Sequence, residues 1–289
     1  MTAGLIDFSK VGDPNQPSPS VWSGCGRNLL NDLGQGHFVR ADFIGDTSTL
    51  PGVPASGDGT TVYNDTLGAG RVLDLTSGNT DNNSHAIYTR PLGKVIRGGH
   101  SDNKLWYEAR IAPAALTDQA FFAGLAVLDG LDEDILADDP SNSDQAGLAE
   151  ESLIGFVSRQ VSSETTKLDA VVRKGDGDVV TVLEDVTNSS GIPQSNVSHG
   201  TGFTEVVYPD EILRGDLVAG QFVKLGVVVA TNLKQIQWYV NGFKVASHEI
   251  DNSVDQSEDY GGILALKTGA AADRTLHADF FRVASQLRT

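Results

Sequence analysis

The feature that most constrains the fold of this chain is a series of short segments in which apolar and polar residues alternate. The clearest covers residues 103–111, where one face carries Leu105, Tyr107, Ala109 and Ile111 and the other carries Trp106, Glu108 and Arg110. A period of two is typical of a half-buried β-strand. Helical periodicity is almost absent, apart from a turn or two at Asp210–Leu217. The pattern therefore predicts an all-β protein.

Two hairpins and several further strands extend this pattern. One hairpin joins Leu168–Arg173 to Val179–Leu183 through Gly175-Asp176-Gly177, and the other joins Gln235–Val240 to Phe243–Ile250 through Asn241-Gly242. Asn-Gly is the strongest short-range hairpin signal because both residues tolerate positive φ. The other predicted strands are His37–Phe43, Phe121–Leu128, Leu153–Val157, Phe222–Val229, Ile263–Lys267 and Leu276–Ala284. Many short strands with irregular, often long connections favour a sandwich of two sheets over a barrel.

The chain divides into an extended N-terminal arm, residues 1–35, and a single β-sandwich domain, residues 36–289. Prolines and glycines in the arm argue against a sheet strand. Its apolar residues need a surface to cover them, either on their own domain or on a neighbouring subunit; they are Leu5, Ile6, Phe8, Val21 and Trp22. We expect docking on a neighbour, and hence self-association.

Charge and cysteine content exclude several classes of function. The formal net charge of −17 argues against nucleic-acid binding, because phosphate contacts need clustered Lys and Arg. Cys25 is the only cysteine, so the chain forms no internal disulfide and no multi-cysteine zinc site. The first residues lack the basic and apolar regions of a secretory signal, and no apolar run approaches the ~20 residues of a membrane span. We therefore expect synthesis in a host cytoplasm.

The last 70 or so residues carry a resemblance to a known superfamily. Phe222–Val229 followed by Ile236–Ala246, with its Tyr-Val-Asn-Gly turn at 239–242, resembles the penultimate strands of concanavalin A-like (LamG-like) lectin/glucanase domains. Leu276–Val283 is similar to the final strand of that superfamily. The resemblance implies a jelly-roll sandwich of two antiparallel sheets. The superfamily includes lectins, glycoside hydrolases, polysaccharide lyases and structural proteins of tailed-phage virions, so the fold does not choose the function.

The catalytic motifs of that superfamily are incomplete here. Its glucanases carry Glu-x-Asp-x-x-Glu on one strand, with nucleophile and general acid/base on the same face. The match is Glu249-Ile250-Asp251, and Val254 occupies the place of the second glutamate. Lyases of this fold use His, Tyr, Arg and Gln, for which Arg110, Gln160 and His248 are candidates by side-chain type alone. We predict no catalytic residues and no enzymatic activity.

No metal or cofactor site is predicted either. The loop Asp129–Glu151 carries Asp129, Asp132, Glu133, Asp134, Asp138 and Asp139, which would suit Ca²⁺, but the EF-hand spacing is absent and a solvated loop is the favoured interpretation. None of the six histidines has metal-ligand spacing, and His277 is interpreted as a hydrogen-bonded packing residue. Trp106 and Trp238 are assigned to the core or an interface rather than to sugar stacking.

The function expected from these observations is non-enzymatic. The leading hypothesis is a structural protein of a tailed-phage virion, either a capsid decoration (cement) protein or a tail-associated protein, with other virion subunits as partners. The overall Gly-, Thr- and Asp-rich style resembles such proteins. A carbohydrate-binding, lectin-like module with a surface glycan as partner is the alternative, and a polysaccharide-cleaving enzyme is the third candidate.

Overall fold

The structure is a computed structural model. It describes residues 18–22, 25, 36–41, 55–64, 72–95, 104–127, 135–136, 148, 151–158, 167–175, 177–183, 186, 217–230 and 234–286. Among these residues no helix is long and apolar enough to cross a membrane.

The described elements are one helical turn and sixteen strands. The turn is α1 (Pro19–Trp22), and the strands are β1 (Gly36–Ala41), β2 (Ala55–Gly57), β3 (Thr60–Asn64), β4 (Val72–Thr76), β5 (Ser84–Tyr88), β6 (Gly93–Lys94), β7 (Lys104–Pro113), β8 (Gln119–Val127), β9 (Leu153–Ser158), β10 (Asp169–Arg173), β11 (Val180–Leu183), β12 (Val223–Ala230), β13 (Gln235–Val240), β14 (Phe243–Glu249), β15 (Asp259–Thr268) and β16 (Thr275–Gln286).

The strands form two antiparallel sheets. Sheet A has the order β14-β13-β12-β7-β16-β4-β3, with β1 paired to the end of β16. Sheet B has the order β11-β10-β9-β8-β15-β5-β2, with β6 paired to the start of β15. Strands that pair are often far apart in sequence, so the sheets are built mainly from long-range contacts. The chain is an all-β jelly-roll sandwich, and the fold-class prediction is confirmed.

The main core lies between the sheets and is built by the alternation seen in the sequence. From β7 the residues Leu105, Tyr107, Ala109 and Ile111 all enter it. The side chain of Trp238 also enters it and donates a hydrogen bond from Nε1 to the carbonyl of Gly155, 2.9 Å away in sheet B. Trp106 lies instead in a separate cluster on the outer face of sheet A. The assignment of Trp106 and Trp238 to packing is confirmed.

The predicted strands match observed ones, and the two hairpins are present. Asn241 and Gly242 have φ of 47° and 84°, the positive values that a two-residue hairpin turn requires. The sequence did not predict the strands between residues 55 and 94, which are short and pair with distant partners such as β15. The helical turn predicted at Asp210–Leu217 lies outside the described residues, except for Leu217.

The expected arm needs a correction within its described part. Residues 19–22 form a helical turn and are not extended. Val21 and Trp22 are buried on the chain's own sheet A, in the cluster that contains Trp106. Their burial therefore needs no neighbouring subunit, because both residues dock on their own sheet and not on a neighbour as expected. Leu5, Ile6 and Phe8 lie outside the described residues.

Candidate functional site

Arg110 lies apart from the other described residues considered for catalysis, His248, Glu249 and Asp251, which are neighbours in the chain. Glu249 ends the edge strand β14 on the protein surface, and Asp251 lies in the loop that follows it. Arg110 lies on β7, three strands in from β14 across sheet A, which corresponds to about 14 Å. Gln160 lies outside the described residues.

Local contacts account for the side chains of Asp251, His248 and Arg110. Asp251 accepts hydrogen bonds from the backbone N–H and the hydroxyl of Ser253, and those bonds hold the pKa of its carboxyl below the ordinary value. His248 Nε2 lies 3.0 Å from the same hydroxyl and 3.6 Å from Asp251 Oδ1. Arg110 pairs with Asp279 at 2.8 Å and lies over the ring of Phe222. These groups form loop and surface contacts.

The outer face of sheet B is closed by apolar packing. Strands β5, β8, β9 and β15 place small and apolar side chains there, namely Ala86, Phe122, Ala126, Leu153, Val157, Ile263 and Ala265. Three residues from the stretch between β8 and β9 pack onto them, and we call these three the cover; they are Ile135, Leu136 and Leu148. Leu136 and Leu148 pair with each other in an antiparallel bridge. The cover is fully buried, as is the face beneath it.

Two buried cations hold the cover in place. Lys267 Nζ donates to the carbonyl of Leu136 at 2.9 Å, and an Arg173 guanidinium nitrogen donates to the carbonyl of Leu148 at 2.8 Å. Hydrogen bonds from a charged donor are among the stronger ones in proteins. The six carboxylates considered for Ca²⁺ in the acidic loop, Asp129, Asp132, Glu133, Asp134, Asp138 and Asp139, lie outside the described residues. Among those that are described, no group of three or more His, Cys, Asp or Glu could hold a metal ion.

Part of the outer face of sheet A, around Trp106, is covered by the N-terminal segment, which we define as residues 18–22. The segment lies in a groove formed by Trp106, Gly226, Val228, Tyr239 and Ala284, and its buried side chains are Val21 and Trp22. The Trp22 ring packs edge-on against Phe38 of β1, with the ring centroids 5.9 Å apart.

A buried carboxylate fixes the N-terminal segment. The two oxygens of Glu108 lie 3.0 and 3.1 Å from the backbone N–H of Ser18, and the Trp22 indole N–H donates to Oε2 at 2.6 Å. Burial raises the pKa of the Glu108 carboxyl, although these bonds and the charge of Lys224 act in the opposite direction. Sequence reasoning placed Glu108 on the solvent-facing side of a half-buried strand. The sequence signal that could have revealed this contact is the pair Val21 and Trp22, two large apolar residues in the arm for which the arm itself offers no packing partner.

Two glycines without side chains leave the space on sheet A that the N-terminal segment occupies. A Cβ on Gly226 would lie 2.7 Å from a methyl carbon of Val21, too close for any residue with a side chain. A Cβ on Gly242 would lie 3.2 Å from Ser18, and the Ser20 hydroxyl donates to the carbonyl of Gly242. The groove is therefore shaped to the segment at both of these positions.

A polar cavity lies at one end of the described part of the sandwich. It has a volume of about 410 Å³ and lies between the β10–β11 turn and the loop before β15; its lining is Lys174, Gly175, Gly177, Asp178, Asn252, Ser253 and Asp255. Ser152 connects the two walls, since its hydroxyl accepts from the Gly175 N–H at 2.9 Å and donates to Asp255 at 3.3 Å. Desolvation opposes ionisation of Asp255, but hydrogen bonds from Ser257 and Ser152 keep its pKa below the ordinary value.

Two further predicted residues have structural partners. His277 Nδ1 lies 2.6 Å from Asp74 on the neighbouring strand, which confirms it as a hydrogen-bonded packing residue. Cys25 packs against the cluster around Trp22 and Trp106, and burial raises the pKa of its thiol to about 12. A thiol with so high a pKa is not a nucleophile near neutral pH.

Comparison with known proteins shows the fold. No protein-family model matches the chain, and no curated protein matches it in sequence. Peanut lectin bound to a nine-residue peptide has a TM-score of 0.53 at 13% identity, covering 88% of this chain and 99% of the lectin. The potassium-bound carbohydrate recognition domain of Emp46p has a TM-score of 0.50 at 8% identity, covering 84% and 94%. An endo-β-1,4-glucuronan lyase from the fungus Trichoderma reesei has a TM-score of 0.49 at 11% identity, covering 86% and 94%. The chain has the concanavalin A-like lectin/glucanase fold.

Proposed function

We propose that this chain is a non-enzymatic structural protein of a tailed-phage virion, either a capsid decoration (cement) protein or a tail-associated one. The observation that supports a structural role best is that the chain's own residues bury surface on both sheets. The N-terminal segment fills the groove around Trp106 on the outer face of sheet A, and the cover lies over the outer face of sheet B.

The buried outer face of sheet B and the filled groove around Trp106 on sheet A argue against catalysis at these two places. A polysaccharide-cleaving enzyme of this fold needs carboxylates or an Arg, His and Tyr set that face an accessible cleft. Here apolar residues such as Phe122 and Ile263 occupy the outer face of sheet B beneath the cover. Glu108, the buried acid on sheet A, accepts hydrogen bonds from Ser18 and Trp22.

The remaining properties suit a particle component. The net charge of −17 keeps the protein soluble and disfavours nonspecific association and nucleic-acid binding. The assignment to a tailed phage itself rests on the compositional resemblance described in the sequence analysis.

The composition of purified particles tests this proposal. We expect mass spectrometry of particles from the encoding phage to detect this chain in a fixed ratio to the major capsid or tail subunit, and detergent-free washing to leave that ratio unchanged. If the chain occurs only in the soluble lysate, the proposal is wrong.

The polar cavity favours a second candidate, a carbohydrate-binding module. Asp178, Asn252 and Asp255 supply the acceptors and amide donors that hydroxyl groups require, and Lys174 adds a cation. Peanut lectin and the Emp46p domain are named as a lectin and a carbohydrate recognition domain.

A glycan array with the native chain and an Asp178→Ala/Asn252→Ala variant tests this candidate. Glycan binding that the double substitution abolishes would support it. A matched control is Asp81→Asn, an exposed carboxylate in the β4–β5 loop at the opposite side of sheet B. No binding, or binding that the variant retains, would reject the cavity as a glycan site.

A further inference from the structure

The groove on the outer face of sheet A requires an occupant. Without the N-terminal segment, the indole of Trp106 and the carboxylate of Glu108 would face water next to Val228 and Ala284. Trp106 is now 1% exposed and Glu108 0% exposed. A large apolar surface around a carboxylate is a site of association for any segment that fits it.

The segment that fits is known from its contacts. Its recognition elements are the Ser18 N–H and the Trp22 indole N–H on Glu108, and the Val21 side chain over Gly226. The two hydrogen bonds join residues that are 90 and 86 positions apart in the sequence. Every further copy of this chain carries the same segment, so docking between two copies would make the same contacts as docking within one.

The connection between segment and domain allows such an exchange. Cys25 packs with the segment and donates its backbone N–H to the Trp22 carbonyl, so the ten residues 26–35 join the segment to β1. Ten residues can span up to about 35 Å when extended. The segment lies before the first described strand, so moving it to a second copy requires no described strand to leave its sheet.

We propose that the outer face of sheet A is a self-recognition groove, in which the N-terminal segment of one copy can replace that of another. Docking within one chain prevails in dilute solution, because a tether of this length gives a local concentration on the order of millimolar. Exchange between copies prevails where subunits are held at a comparable density. Identical contacts on both sides make such exchange a low-cost route to association. The groove and its exchange do not depend on the proposed function; a particle would only supply the density.

Two full-length variants test the exchange without competition from docking within a chain. The donor is Gly226→Leu, whose new side chain occupies the space of Val21 and releases the donor's own segment. The acceptor is Val21→Ser/Trp22→Ser, which has an intact groove and a segment that binds it poorly. We expect each variant alone to sediment as one chain and their mixture to form a 1:1 complex of twice the mass. The matched control is the donor that also carries Val21→Ser and Trp22→Ser, which should not pair with the acceptor.

The result that overturns the proposal is a mixture of folded donor and acceptor that sediments as single chains. If circular dichroism shows that Gly226→Leu does not fold, Glu108→Leu replaces it as donor, because it removes the acceptor of both the Ser18 and the Trp22 hydrogen bonds. As an independent measurement, a synthetic peptide of residues 15–25 is titrated into the acceptor. Saturable binding with a blue shift of tryptophan emission supports the groove, and no binding of either partner contradicts it.

Discussion

The indole N–H of Trp22 donates a 2.6 Å hydrogen bond to the carboxylate of Glu108, which lies 86 positions later in the chain. The bond connects a helical turn that precedes all the described strands to the central strand β7 of sheet A. Because the N-terminal segment docks there, the face of β7 that carries Trp106 and Glu108 is buried, although the sequence pattern predicts that it faces solvent. The N-terminal segment is therefore part of the folded domain.

The first prediction concerns Trp22. Trp22→Ala should lower the free energy of unfolding by up to about 3–5 kcal/mol, the usual cost of removing a buried aromatic side chain. The loss cannot exceed the free energy with which the segment docks. Urea denaturation followed by circular dichroism measures it. Trp22→Phe is the control and should recover most of the loss, since it keeps the ring but not the indole N–H; an unchanged midpoint for Trp22→Ala would show that the segment does not dock.

The second prediction concerns pH. The pKa of Glu108 is raised in the folded protein, so its contribution to stability is fully present below the ordinary value of 4.5 and is lost as pH rises through the raised value. Glutamine is neutral at every pH. The free energy of unfolding of Glu108→Gln relative to the native chain should therefore be highest at pH 8 and decrease as pH falls towards 4.5.

Urea titrations of both proteins at each pH measure this difference. Asp251 and Asp255 have lowered pKa values, so their effect on stability changes with pH in the opposite direction. Both proteins carry these two residues, and their contribution therefore cancels in the difference. The charged neighbours of Glu108 are Lys224 on β12 and Arg282, its cross-strand partner on β16. A difference that does not change with pH would mean that Glu108 has an ordinary pKa in the folded protein.

The third prediction concerns the hairpin turn. Gly242 has φ of 84°, which β-branched residues resist, so Gly242→Val should destabilise the protein by about 1–3 kcal/mol. A side chain at this position also approaches Ser18. Gly242→Asn separates the two effects, because asparagine tolerates positive φ but makes the same approach. Equal melting temperatures for the Val and Asn variants would rule out turn strain.

The fourth prediction concerns catalysis. Glu249→Gln should have no enzymatic phenotype, because Glu249 lies on the exposed edge of sheet A and Val254 replaces the second carboxylate of the glucanase motif. The assay is reducing-sugar release and unsaturated-product absorbance on β-glucan and alginate-type polymers. Cleavage by the native chain that this substitution abolishes would reject a non-enzymatic function.

The alternation in the sequence was sufficient to predict the inner core. Leu105 and Tyr107 point between the sheets because each strand places alternate residues on opposite faces, and that pattern is local. The outer cluster could not be predicted in the same way. Trp106 and Glu108 have the spacing of solvent-facing residues, and only the distant Val21 and Trp22 bury them.

The short strands were missed for a related reason. Ala55–Gly57 has neither the length nor the alternation of a strand, and it becomes one because β5 supplies its hydrogen-bond partners. The cavity at the end of the sandwich likewise joins two loops, around Gly175 and Asp255, that Ser152 connects. Contacts between distant segments leave no periodic signal in the sequence.

The central claim is that this domain fills the groove around Trp106 on the outer face of its own sheet A, and quenching of tryptophan fluorescence by acrylamide tests it most directly. Acrylamide is neutral, so the net charge of −17 does not repel it. All three tryptophans of the chain are buried: Trp22, Trp106 and Trp238 are 3%, 1% and 0% exposed. We therefore predict a blue-shifted emission with little quenching from the native chain at low concentration. If two of the three tryptophans were readily quenched, Trp22 and Trp106 would be in water, the groove would be open, and the account would be contradicted.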